Sequence, residues 1–188
     1  MFHMAQKDYN LEMVLDLLKN RENHIRGMAK NLETSHTTIL RKINELLREN
    51  ILDYVWGGKN KVFRLKRNLP AKNCIYMAEH YKLRRLFEEY PSLRITLQDV
   101  LAEVPSGLAI IFGSYARFEA GKDSDIDLFI ETNDAEVRKR ISLIDKRINV
   151  KTGALDPSNK LATEIIKNHA IVRGVEEFYE KIRFFKDA

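Results

Sequence analysis

Cysteine is nearly missing from this chain of 188 residues: Cys74 stands alone. An intramolecular disulfide is therefore impossible, and a metal site built from several cysteines is excluded. A reducing, intracellular setting is the expectation that follows. Long apolar runs are also missing. The longest candidate, Leu108 to Phe112, is far short of the ~20 residues that span a bilayer. The N-terminus lacks the charged-then-apolar pattern of an export signal, so a cytoplasmic protein with no membrane partner is expected. Internal repeats and low-complexity stretches are absent. Proline numbers only 4 and glycine 8, and several mark breaks: Leu69-Pro70, Pro91-Ser92 and Pro105-Ser106-Gly107.

What is present is charge, unevenly placed. Net charge is +5. Through residue 70 there are 13 Lys and Arg against 8 Asp and Glu, and from residue 71 onward 19 against 19. The whole excess lies in the N-terminal third, as expected of a nucleic-acid-binding module followed by a near-neutral one. A merely solvated basic surface is the plainer alternative.

Leu11, Val14, Leu15 and Leu18 have helical spacing. Ile25, Met28, Ala29 and Leu32 predict a second, short helix. Ser35 is placed to cap a third that runs to about Asn50, a residue tolerant of left-handed backbone. Leu52, Tyr54 and Trp56 alternate, Gly57-Gly58-Lys59-Asn60 turns the chain, and Val62, Phe63 and Leu65 return it as a hairpin. Three helices and a hairpin over Tyr9 to Leu65 resemble a winged helix-turn-helix domain. The outward face of its third helix would carry His36, Thr37, Thr38, Arg41 and Lys42 toward a DNA groove. Thr37, Thr38, Arg41 and Lys42 are the candidate nucleic-acid contacts there, joined by Lys59 and Lys61 at the wing tip. His24 and His36 have no ligand-like partner nearby and read as surface or turn residues.

A connecting helix is expected at about 69–91, with Lys82, Arg84 and Arg85 on a solvated face balanced by glutamates. Another helix is expected over Leu93 to Val104. Leu108 to Phe112 then reads as a strand, with Gly113 directly after it. Glycine there lets the backbone turn sharply and approach a ligand. Ser114 offers a hydroxyl and an N–H, and Arg117 a charge suited to phosphate. After the seven residues that follow Arg117, Asp125 and Asp127 sit two apart, so strand alternation places both carboxylates on one face. Two such acids repel and call for a compensating cation. Ser124 either holds the start of that strand or reaches a phosphate oxygen. Arg138-Lys139-Arg140 reads as a solvated helix face, and the tail from Leu161 to Ile182 as core-facing helical spacing. His169 is assigned to packing, having no acid partner in the nearby sequence.

Gly113-Ser114-Tyr115-Ala116-Arg117 with Ser124-Asp125-Ile126-Asp127-Leu128 resembles the signature of minimal nucleotidyltransferases, in the DNA polymerase β-type nucleotidyltransferase superfamily. The resemblance covers roughly Leu93 to Ile182. It implies a small mixed sheet flanked by helices, and transfer of a nucleoside monophosphate from a nucleoside triphosphate to an acceptor hydroxyl. Gly113, Ser114, Arg117 and Ser124 would meet the nucleotide. Asp125 and Asp127 would be the catalytic acids and the ligands of Mg²⁺ or Mn²⁺. The chain departs from the family twice. Phe118 stands where a glycine commonly follows the arginine, and Asn149 stands where a third acid is often found. Lys151 is expected on the same strand face as Asn149, and Asp156 is a candidate to substitute for the acid from a loop.

The expected architecture is α+β: a winged helix-turn-helix at 1–68, a connecting helix at 69–91 and a minimal nucleotidyltransferase domain at 92–188. Three readings of function remain open at this point. One is a Mg²⁺-dependent nucleotidyltransferase targeted by its winged helix. Another is a DNA-binding regulator whose second domain senses nucleotide without turnover. The third is an antitoxin-like enzyme acting on a partner protein. Nucleobase, acceptor and oligomeric state are left open.

Overall fold

The computed structural model describes residues 7–186; the outermost residues of the two expected domains lie outside that range. The described residues form two compact units, one reaching to Ala78 and including Phe185 and Lys186, the other running from Glu79 to Phe184.

The first unit follows the order α1 (Tyr9–Asn20), β1 (Glu22–Asn23), α2 (Ile25–Asn31), α3 (His36–Arg48), β2 (Leu52–Gly57) and β3 (Asn60–Leu65), then enters α4 (Leu69–Glu89). Local chemistry sets the boundaries. Asp8 caps α1 by accepting the N–H groups of Asn10 and Leu11. Ser35 Oγ accepts the Thr38 N–H at 3.1 Å and starts α3. Asn50 ends that region at φ 61°, the left-handed conformation expected of it. Met13, Leu17, Met28, Ile39, Ile43 and Leu46 are fully buried and supply the helical side of the core. The hairpin β2–β3 pairs Tyr54 with Phe63 and Trp56 with Lys61, and β1 adds a third, antiparallel strand in the order β1-β3-β2. Cys74 is buried and free, and burial pushes its thiol up to about 11. That removes the thiolate as a nucleophile near neutral pH.

The second unit contains the rest of α4, then α5 (Leu93–Glu103), β4 (Ala109–Phe112), α6 (Gly113–Ala116), β5 (Ile126–Ile130), α7 (Val137–Ser142), β6 (Ile148–Thr152), α8 (Lys160–Lys167), β7 (His169–Arg173) and α9 (Val175–Lys181). Its sheet has the order β6-β5-β4-β7 and is mixed. β5 and β6 run parallel, while β4 is antiparallel to both β5 and β7. One face, carrying Ile111, Leu128 and Val150, packs in a single core with Leu97 of α5 and Ile141 of α7. Ile110, Phe129 and Ile171 alternate to the other face and are buried as well. A sheet covered on both faces explains why Ala109 to Phe112 reads as an unbroken apolar run.

The tail departs from the helical reading. His169–Arg173 is a strand. Its apolar run Ala170-Ile171-Val172 is short and β-branched, and it completes the edge of the sheet beside β4. The basic side chains are also less free than a solvated face implies. Lys82 Nζ donates to the His169 carbonyl. Arg85 lies 5.3 Å from the Phe118 ring centre. Arg140 bonds both Glu103 and Asp134.

His169 does have an acid partner, 90 residues away in sequence. Its Nε2 lies 3.1 Å from Oε1 of Glu79, and its Nδ1 lies 3.0 Å from the carbonyl oxygen of Ile165. Both ring nitrogens thus lie against oxygen atoms, a backbone carbonyl on one side and a carboxylate on the other. Glu79 is 2% exposed, and its Oε1 also accepts the Tyr179 hydroxyl at 2.6 Å. The group ties α4 to β7 and α9, a structural role in keeping with the packing assignment.

Candidate functional site

The site starts at the end of β4. Gly113 has φ 69°, which carries the chain from strand to the short helix α6. A Cβ added to Gly113 would lie 2.3 Å from Asp127 Oδ2. Only glycine fits here, for two reasons: the backbone is left-handed, and a carboxylate occupies the side-chain position.

Asp127 reaches that place through strand register. Ile111 pairs with Leu128 across β4 and β5, so the next residues along, Phe112 and Asp127, are neighbours beside the turn. Asp127 is the second residue of β5 and is half-buried; Asp125 immediately precedes the strand and is exposed. The two acids therefore do not both lie in the strand, as alternation alone predicts. The strand starts at Ile126, and Asp125 stands at its mouth, where water solvates its charge. Among the described residues, no third His, Cys, Asp or Glu joins them in a cluster.

β6 runs parallel to β5 and sets Asn149 opposite Asp127. Asn149 Nδ2 donates to Asp127 Oδ1 at 2.8 Å. One carboxylate oxygen is thus held by an amide while the other faces the Gly113 backbone. Lys151, two residues further on β6, alternates to the same face as Asn149. Asp156 is engaged elsewhere: its Oδ1 accepts both the N–H and the hydroxyl of Ser158, which hold its carboxyl below the usual range.

Ser114 is half-buried in the first turn of α6, where N–H groups have no acceptor within the helix. Arg117 follows α6 and is exposed, with Nε 2.7 Å from Glu119 Oε2. That hydrogen bond raises its pKa, and attraction to Glu119, Glu164 and Asp127 adds to it. Asp127 and Glu164 therefore lie within the field of Arg117. Glu164, on α8, was not legible as a site neighbour, because nothing in its local sequence separates it from an ordinary exposed glutamate. Ser124 Oγ accepts the Gly121 N–H at 2.9 Å and fixes the turn that leads into β5. Phe118 sits at φ 61°, a conformation glycine adopts without strain, while its ring packs against the core.

The arrangement is thus a strand, a glycine turn opening a helix, and two acids on the neighbouring strand beside that turn. Residues 93–183 match the family model of the nucleotidyltransferase domain. The match supports a place for this segment in the nucleotidyltransferase superfamily. It begins at the first residue of α5 and takes in all four strands of the mixed sheet. The matched segment contains Gly113, Asp125, Asp127 and Asn149, and the first unit lies outside it. No curated protein matches the chain.

The candidate nucleic-acid contacts all belong to the first unit. Thr37 and Arg41 are exposed on α3, and Lys59 is exposed in the hairpin turn. Thr38 is half-buried, with Oγ1 2.9 Å from Ser35 Oγ. Lys42 bonds Glu45 at 2.7 Å and is four-fifths buried, so its charge is largely spent within the unit. Lys61 stands over aromatic rings, 4.0 Å from the centre of Tyr54.

Proposed function

We propose that the nucleotidyltransferase domain binds a nucleoside triphosphate together with Mg²⁺ or Mn²⁺ and transfers its nucleoside monophosphate to an acceptor hydroxyl. The observation that carries this reading is the close approach of the Asp127 carboxylate to Gly113, which sets the strand-to-helix turn directly beside an acid. The donor set fits such an ion. Magnesium is commonly held by one or two carboxylates, with substrate phosphates and water completing its shell. Asp125 and Asp127 would hold it, and it would neutralise developing charge on the phosphoryl oxygens.

The rest is the work of the chain. N–H groups at Gly113 and Ser114 orient the triphosphate, and Arg117 adds positive charge beside it. Asn149 fixes the rotamer of Asp127 by its hydrogen bond. Incubation with α-phosphate-labelled triphosphates, a divalent cation, and RNA or protein acceptors tests this reading. Label transfer should disappear in Asp127→Asn; transfer that persists in Asp125→Asn with Asp127→Asn would rule out the assigned site.

We read the first unit as a winged helix-turn-helix and assign it to nucleic-acid binding, with Thr37, Arg41 and Lys59 as its freest contacts. The location of the charge excess supports this.

A second reading is favoured by one bond. Asn149 cannot take a proton as a carboxylate can, and it occupies one oxygen of Asp127. On that reading the domain senses nucleotide without turnover, and the chain is a nucleic-acid-binding regulator. Tight triphosphate binding with no label transfer to any acceptor would favour it.

A further inference from the structure

We infer that the inner face of the β2–β3 hairpin is a stacking platform for an unpaired nucleic-acid base. This rests on the nucleic-acid reading of the first unit and adds to it the state of the strand that is bound.

The platform follows from register. Residues 52, 54 and 56 of β2 face the same way as residues 61, 63 and 65 of β3. At the base of the hairpin this face is core: Leu52 is 1% and Phe63 2% exposed. Toward the tip the core ends but the apolar face continues. Tyr54 is 37% and Trp56 67% exposed. Their rings meet edge to face, with centroids 6.4 Å apart at 87°. Lys61 projects between them, its Nζ 4.0 Å from the Tyr54 centre and 5.4 Å from that of Trp56. None of these six hairpin residues is an acid. Asp53 alternates to the other side, where it pairs with Arg64.

The same lysine lines a groove with His24, Arg26, His36, Thr37 and Leu40. Leu40 is 48% exposed, and no carboxylate lines the groove. The surface therefore offers flat apolar rings, cations and no anions. Its partner should bring flat apolar faces and negative charge together, as a nucleotide chain does. An acidic protein segment supplies the charge without the stacking faces. In a closed duplex, base faces are covered by neighbouring bases. Stacking on Trp56 thus requires a single strand, an end or a bulge.

Trp56 is the only tryptophan of the chain, so its emission reads this site alone. The full chain is titrated at low and moderate salt with single-stranded DNA or RNA of about 12 nucleotides, within the span of such sites, and with the matching blunt duplex. Single strands should quench Trp56 and the duplex should not. By anisotropy of a labelled strand, Trp56→Ala should weaken single-strand binding about ten-fold, as expected for one lost stack. Trp56→Phe should retain most of the affinity, and circular dichroism should show both variants folded. Salt-sensitive binding without quenching, and unaffected by Trp56→Ala, would overturn the platform and leave the nucleic-acid reading standing. Equal quenching by duplex would overturn the claim of an unpaired base. An emission that changes with protein concentration but not with either nucleic acid would assign the face to self-association. No binding of either nucleic acid at low salt would overturn both readings.

Discussion

Asn149 and Asp127 stand opposite each other on parallel strands, and the amide of one donates to the carboxylate of the other at 2.8 Å. The bond keeps a candidate metal-binding acid in place while using one of its oxygens. Replacing Asn149 by aspartate would turn this attraction into repulsion between like charges. Asn149→Asp should therefore melt lower than the parent chain without divalent cation and gain more from Mg²⁺ or Mn²⁺. Thermal melts with and without each ion check this. If turnover is limited by a missing carboxylate, label transfer should rise in the same variant.

Gly113→Ala should be costly out of proportion to one methyl group. The backbone at φ 69° disfavours alanine by about 1–3 kcal/mol, and the new Cβ would collide with Asp127 Oδ2. Urea denaturation followed by circular dichroism should show a loss of at least that size. Nucleotide binding should fall too, because relief of the collision moves either the turn or the acid.

Glu79 supplies a pH test of the second unit's packing. Burial by itself would raise its pKa, but His169, Lys82 and the Tyr179 hydroxyl outweigh that and bring it below the ordinary value. A depressed carboxyl contributes stability above its unfolded value, about 4.3, and loses it as pH falls through the lower folded value. The stability difference between the parent chain and Glu79→Gln should therefore hold steady from neutral pH to about 5 and shrink below about 4. Glu79→Ala should cost about 3–5 kcal/mol at neutral pH, since it removes a buried carboxylate that His169, Lys82 and the Tyr179 hydroxyl all engage. Denaturant midpoints across that pH range check both expectations.

Much of this molecule is written in short-range chemistry. Ser35 and Asn50 mark the ends of α3 because capping and left-handed backbone depend on single residues. The turn at Gly113 is legible because an apolar strand must stop somewhere, and glycine states how. Asp125 and Asp127 are legible as a pair, but where β5 begins is set by its neighbours in the sheet. The same limit applies to His169–Arg173. Its apolar residues suit helix or strand, and only a free edge on β4 decides between them. Glu79 and His169 meet across 90 residues of chain, a pairing no local pattern encodes. Tyr54 and Trp56 alternate as core residues do. Their exposure follows from where the helices end, not from the hairpin itself.

The proposed function puts a metal-dependent triphosphate site at Gly113 and Asp127. Calorimetric titration of the full chain with each nucleoside triphosphate, with Mg²⁺ and then with excess chelator, tests it most directly. At least one triphosphate should bind saturably and require the cation, and its binding should be lost in Asp125→Asn with Asp127→Asn, while the double variant keeps its native circular dichroism. Binding that survives in the folded double variant, or that is indifferent to the cation, would contradict it.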